Sequence, residues 1–394
     1  MYRFNVEKAG RGRRVDHILV ASIFFLTGLG IVTLYSSSYT YAQRFMDDGL
    51  YLIVRQLVFM GVGIFLFFIV SRINLDMIRQ WGLPGLFIIV SVILCILPFI
   101  PGIGVTRNGA PRWFRVGSET FQPSELVKLA LPLYLAHIFD KKKEHINTLT
   151  KGILPPFFIT LLFIIIIALQ NNFSTATFIA FNAVLIFYLA GVKYRYFLSG
   201  ALLFMPFALL LILTREHRLT RILSFLNPTW DPHGAGYHVR ASIMTIESGG
   251  FWGKGIGHGI RKVSSVPEIQ SDFIFAAFAE EMGFIGIFLF FVLFSVFIMR
   301  GYRASMRAED AFRRLLAFGL VSELASQTLA NISVVAGIIP VTGIPLPFFS
   351  SGGSSLITTF IAVGIVVNIS RSKEKEEKEF AEMKSGLRYN SSGA

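Results

Sequence analysis

The residues best able to do chemistry in this 394-residue chain are a few charged side chains set against long apolar blocks. Asp272 stands first, in Ser271-Asp272-Phe273-Ile274-Phe275-Ala276, where a basic loop ends and an apolar block begins. A carboxylate at that boundary can act as a general base on a hydroxyl. The plainer alternative makes it the N-cap of the following helix, satisfying free amides at the positive end of the helix dipole. Arg112, Trp113 and Arg115 put guanidiniums beside an indole, a set suited to phosphate oxygens and a sugar face. An interfacial tryptophan between snorkelling arginines is the alternative there.

Glu125 and Lys128 follow Pro123, which suits a first helical turn, and their spacing puts them on one helical face. Charges entering a membrane helix are costly unless they face the bundle interior or a wet cavity. The pair is therefore either a functional site or a self-neutralised structural one. Glu280 and Glu281 lie deeper in the block after Asp272, with Glu281 about 13 Å farther along the helix axis. Glu323, Gln327 and Asn331 recur every four residues as a polar stripe, with interhelical hydrogen-bond glue as the alternative role. Together these residues imply a hydrated cavity bordered by the fourth, eighth and ninth spans.

The loop at 214–271 carries seven basic residues, Arg240 among them, against four acidic ones, so it attracts anions. Its histidines, His217, His233, His238 and His258, lack the spacing of a zinc-binding helix. Its glycines at 249–259 lack the Gly-Lys-Ser/Thr ending of a phosphate loop.

The elements that must position these residues are membrane helices. Hydrophobic residues make up 53% of the chain and charged ones only 15%, against about 25% charged in soluble domains. Apolar blocks near 18–36, 51–70, 82–100, 123–139, 153–169, 173–190, 196–213, 272–299, 314–338 and 353–370 give an all-α, polytopic bundle of ten spans. The first block is read as an uncleaved helix rather than a signal peptide. Residues 1–370 form one membrane domain, and the mixed-charge run at 371–394 a solvated tail. With both termini cytoplasmic, 24 Lys and Arg residues fall inside and 11 outside, so the positive-inside rule favours that topology. It places the long loop between the seventh and eighth spans outside, with Arg112 and Asp272. The net charge of +13 is then a topology signal with some attraction to anionic lipid, and nucleic acid is an unnecessary partner. A single cysteine, Cys95, excludes an internal disulfide and a cysteine metal site.

Several ordered motifs carry a resemblance. They are Gly109-Ala110-Pro111-Arg112-Trp113, Gln122-Pro123-Ser124-Glu125 with Lys128, Pro228 with Asp231 and Gly236-Tyr237, and Pro267-Glu268. Further along come Asp272-Phe273-Ile274-Phe275 with Ala279-Glu280-Glu281 and Gly283, then Gly343 with Leu346-Pro347 and Ser350 to Ser355. In these the chain resembles the shape, elongation, division and sporulation family of bacterial membrane proteins across nearly all ten spans. The arginine-rich stretch from Arg300 to Arg314 and Asn331-Ile332-Ser333 resemble its FtsW branch, whereas Gly236-Tyr237-His238 and Gly253-Lys254-Gly255 are similar to RodA.

The resemblance implies a peptidoglycan glycosyltransferase of the cytoplasmic membrane that polymerises lipid II on the outer face and releases undecaprenyl diphosphate. It implies Asp272 as the essential aspartate, with Arg112, Trp113, Glu125 and Lys128 in other functionally sensitive motifs; Arg240 and Glu281 join them as substrate-binding candidates. The implied partner is a class B penicillin-binding protein, alongside other division or elongation proteins, and a divalent cation (Mg or Mn) is a possible helper. Two departures stand out: Gln170-Asn171-Asn172 replaces the Gln-Pro-Asp common after the fifth span, and Ser351 replaces a frequent tyrosine. The competing functions are a lipid II flippase and a scaffold without chemistry.

Overall fold

The architecture is a computed structural model that describes residues 15–107, 109–213, 216–226, 234–259 and 269–371. In chain order its α-helices are α1 (His17–Phe45), α2 (Tyr51–Val70), α3 (Leu75–Gln80), α4 (Leu83–Ile96), α5 (Pro123–Lys141), α6 (Leu154–Leu169) and α7 (Phe173–Leu189). Then follow α8 (Tyr194–Leu213), α9 (Glu216–Leu226), α10 (Ala235–Gly249), α11 (Ile274–Met306), α12 (Ala311–Val335) and α13 (Gly353–Ser370). Each apolar block falls on a helix, and among the described residues six helices are long and apolar enough to cross a membrane. Apolar surroundings cannot satisfy backbone amides and carbonyls, so a chain this apolar must close those bonds within each helix. This is an integral membrane protein. Motif residues Asp231, Pro267 and Glu268 and tail residues 372–394 lie outside the described residues.

Helix α12 is the hub and packs against α5, α7, α10, α11 and α13, while α2 lies along α13 and α1 along α11. Its buried face carries Leu315, Leu316, Leu320 and Val321 as well as the polar stripe. That mixture places Glu323, Gln327 and Asn331 at the meeting point of five helices.

The all-α expectation needs correction. Three strands, β1 (Gly104–Arg107), β2 (Ala110–Val116) and β3 (Glu119–Phe121), form an antiparallel sheet between α4 and α5. Two tight turns make it. The β1–β2 pairing ends at Arg107 opposite Ala110, and Gly109 takes φ +70°. The β2–β3 pairing ends at Val116 opposite Glu119, and Gly117 takes φ +61°. Both are two-residue hairpin connections, whose twist requires positive φ. The Asn108-Gly109 dipeptide is the sequence signal for such a hairpin, and the apolar blocks on either side obscure it.

Helix α11 is also two pieces. Gly283 breaks it with φ +62° and ψ −165°, so the eighth span is not one continuous helix. The 250–257 segment docks at the break: the Lys254 and Gly255 amides donate to the Glu280 and Glu281 carbonyls at 3.0 Å, and the Phe284 amide donates to the Gly250 carbonyl at 3.0 Å. A Cβ at Gly283 would overlap the Gly253 backbone and one at Gly253 the Glu281 carbonyl, so both glycines are obligatory there.

At the end of the bundle opposite the sheet, ion pairs close the structure. Arg300 joins Asp16 at 2.8 Å, tying α11 to the N-cap of α1. Arg79 reaches Asp140 at 3.1 Å and Asp310 at 3.7 Å, and Arg313 pairs with Asp310 and with Asp76 at 2.8 Å.

Candidate active site

Asp272 lies just before α11 and not at its N-cap, because the helix starts at Ile274 with Phe273 capping. Its backbone is held carbonyl by carbonyl. The Asn331 amide donates to the Asp272 carbonyl at 2.7 Å, the Ser350 hydroxyl to the Ser271 carbonyl at 2.6 Å, and the Ser351 amide to the Gln270 carbonyl at 3.0 Å. Gln56 on α2 donates to the Ser350 carbonyl at 3.1 Å. A Cβ at Gly343 would lie 3.4 Å from Asp272 Oδ2, so the 340–350 loop passes directly over the carboxylate. In that loop Phe348 is buried at φ +68°, a conformation an aromatic residue keeps only where its surroundings enforce it. The arrangement aims a carboxylate from a fixed backbone.

Two guanidiniums share its field. Arg112, on β2, donates to the Asn171 carbonyl, and Asn171 returns a bond from its side chain to the Gly109 carbonyl at 3.1 Å. Asn171, one of the two departures from the common Gln-Pro-Asp, thus holds Arg112 through its backbone carbonyl and the hairpin through its side chain. Burial lowers the pKa of the Arg112 guanidinium, the positive charge of Arg221 lowers it further, and Asp272 partly offsets both. Burial likewise lowers Arg221, on α9, and Asp272 opposes the shift. Among the described residues two cations act on this one carboxylate, a balance that suits an anionic ligand.

The remaining candidates separate into four places. Alternation along β2 turns Trp113 away from Arg112, and the Arg107 guanidinium covers its ring at 5.5 Å. Glu125 and Lys128 form a buried pair at 2.7 Å. Lys128 also donates to Gln327 at 3.2 Å, and Gln327 donates to the Pro345 carbonyl at 2.8 Å, so the pair reaches the loop over Asp272 through one side chain. Gln327 and Asn331, one turn apart, thereby brace that loop at Pro345 and Ile344. Next to the pair, α5, α7 and α12 enclose a cavity lined by Lys128, Asn182 and Glu323, with room for about one water.

Glu281 accepts from the Gly257 amide at 2.8 Å and from the Ser36 hydroxyl, while Glu280 meets Lys254 at 3.3 Å and the Ser248 hydroxyl at 3.1 Å. These glutamates latch the 250–257 segment onto the broken helix. Arg240 is exposed on α10. Among the described residues no three His, Cys, Asp or Glu side chains gather as metal ligands.

A family model described as cell cycle protein, covering FtsW, RodA and SpoVE, matches residues 17–375. The chain belongs to this family. Among its FtsW/RodA/SpoVE relatives is a probable peptidoglycan glycosyltransferase FtsW from Trichlorobacter lovleyi, 38% identical over 93% of this chain and 95% of that protein. The stage V sporulation protein E of Bacillus subtilis is 37% identical over 90% of this chain and 97% of its own. Among solved structures, a chain from a peptidoglycan synthase complex that coordinates polymerization and crosslinking superimposes with TM-score 0.74 at 27% identity, covering 91% of this chain and 98% of that one. The rod shape determining protein RodA of Thermus thermophilus does so with TM-score 0.67 at 26% identity, covering 92% and 98%.

Sequence reading of this family member missed Arg221 as an individual residue. Its signal was present: the helical spacing of Leu219, Ile222, Leu223 and Leu226 in the sequence reads as one apolar stripe with Arg221 off it. What could not be read is that Arg221 meets the loop over Asp272.

Proposed function

We propose that this protein is the peptidoglycan glycosyltransferase of a septal wall-synthesis machine, polymerising lipid II on the outer face of the cytoplasmic membrane through a ten-span bundle. The observation that carries the reading is the Asp272 carboxylate, held on a braced backbone in the field of Arg112. The FtsW and SpoVE relatives support the division branch over RodA-type elongation.

Asp272 takes the proton from a sugar 4-hydroxyl as its oxygen attacks the anomeric carbon of the donor from the face opposite the diphosphate. The glycosidic bond forms with inversion, the carbon–oxygen bond to the diphosphate breaks, and undecaprenyl diphosphate leaves with both electrons. Arg112 compensates the charge that grows on the departing oxygen. The proton passes from Asp272 to water. If a divalent cation binds, Asp272 is the residue that would hold it, and the cation would supply charge compensation for the departing diphosphate. No step here is routed through it. By analogy with the crosslinking complex, the partner is a class B penicillin-binding protein.

The test supplies lipid II to the purified protein with that partner and resolves glycan on a gel. Polymer from the wild type and none from Asp272→Asn is expected. Equal polymer from both overturns the base assignment, and none from either, with an active partner, favours transport or scaffolding.

A further inference from the structure

The water-sized cavity between α5, α7 and α12 takes its polar lining from one residue on each helix: Lys128, Asn182 and Glu323. Leu131, Phe178 and Ile186 are among the apolar residues that make the rest of its wall. All three polar groups keep bonding capacity in hand. Among the described residues the Lys128 ammonium spends two of its three N–H donors, on Glu125 at 2.7 Å and on Gln327 at 3.2 Å. Asn182 lends its amide to Glu323 at 3.3 Å, yet its Oδ1 has no partner although the residue is only 4% exposed. That long amide bond is the one donor reaching the buried Glu323 carboxylate among the described residues. A spare donor, an orphan acceptor and a thinly bonded carboxylate around one small void are satisfied together by a single water, which accepts once and donates twice.

We infer that this cavity holds one water, bonded by Lys128 and donating to Asn182 Oδ1 and Glu323, and that Glu323 is thereby a positioning residue for the loop over Asp272. The constraint travels through Lys128. Its bond to Gln327 Oε1 turns the Gln327 amide toward the Pro345 carbonyl, which it reaches at 2.8 Å. Pro345 lies two residues from Gly343, where a Cβ would stand 3.4 Å from Asp272 Oδ2. Resting on the glycosyltransfer reading above, this adds to the reaction a residue that never meets substrate. Plain hydrogen-bond glue between α7 and α12 would instead cost stability with no selective change in turnover.

The test takes the protein in complex with its transpeptidase partner, locates water in a high-resolution density map, and measures lipid II polymerisation and melting temperature in Glu323→Leu, Asn182→Leu and Glu323→Gln. The map should show one peak within hydrogen-bond distance of Lys128 Nζ, Asn182 Oδ1 and the Glu323 carboxylate. Each leucine variant expels the water, so kcat should fall about 5- to 10-fold with KM within about twofold and the melting temperature near wild type. Glu323→Gln keeps an acceptor for the water and should hold kcat within about twofold of wild type. A cavity without the peak, an unchanged kcat in either leucine variant, or a loss of kcat that tracks the melting temperature overturns the inference. Failure of the underlying reading looks different: Asp272→Asn then polymerises like wild type while the water remains in the map.

Discussion

The two ends of the bundle spend their charges differently. Opposite the sheet, Arg79, Arg300 and Arg313 each reach one or more aspartates, and Asp16, Asp76, Asp140 and Asp310 tie α1, α3, α5, α11 and α12 together. At the sheet end Arg112 and Arg221 share the field of Asp272, and the hydrogen bonds go to backbone carbonyls instead. One end uses ion pairs to fasten helices. The other adds neutral bonds that fix the backbone around Asp272, alongside the Arg55–Glu119 and Glu125–Lys128 pairs. A fastened far end also argues against a rocking transporter, which must open both ends in turn.

Breaking the bracing at the sheet end should have the larger effect on chemistry. Asn331→Ala removes the bonds that hold the Asp272 and Ile344 carbonyls, so turnover should fall about 10- to 100-fold through misplacement of the carboxylate. Lipid II binding should change far less, and steady-state kinetics would separate the two. A similar loss in both would make Asn331 a general packing residue.

Breaking the far end should do the reverse. Arg313→Ala removes the closer cation from Asp76 and Asp310, leaving each only Arg79 at 3.7 Å, and thermal unfolding should show a loss of about 1–3 kcal/mol. Turnover per folded molecule should stay near wild type. The smallest effect is in pH. Burial raises the Asp16 carboxyl, but the Arg300 bond and the Leu19 and Ile18 amides outweigh it and hold its pKa below the ordinary 3.8. A depressed carboxyl stabilises the fold above its unfolded pKa, and that contribution disappears as pH falls through the folded value. Melting temperatures should therefore decline below about pH 4, and less so in Asp16→Asn.

Legibility in the sequence followed the same divide between local and distant information. Helix positions were readable because apolar runs are local and the membrane demands them. Asp272, Arg112 and the Glu125–Lys128 pair were readable as charges in expensive places. The small sheet was signalled only by Asn108-Gly109, and the break in α11 only by Gly283 within an otherwise helical block. The bracing around Asp272 was not readable, since Asn331 reaches its carbonyl and Ser350 that of Ser271 through packing rather than through spacing. Glu281 shows the converse: buried charge marked it as notable, but its contacts with Ser36 and Gly257 place it in a latch.

The most direct test of Asp272 as the chemical centre measures lipid II binding and glycan formation on one preparation of Asp272→Asn in complex with its partner. Binding within a few-fold of wild type with polymerisation reduced by about 100-fold or more is the expected result, the size of a lost general base. Polymerisation at the wild-type rate would contradict the account.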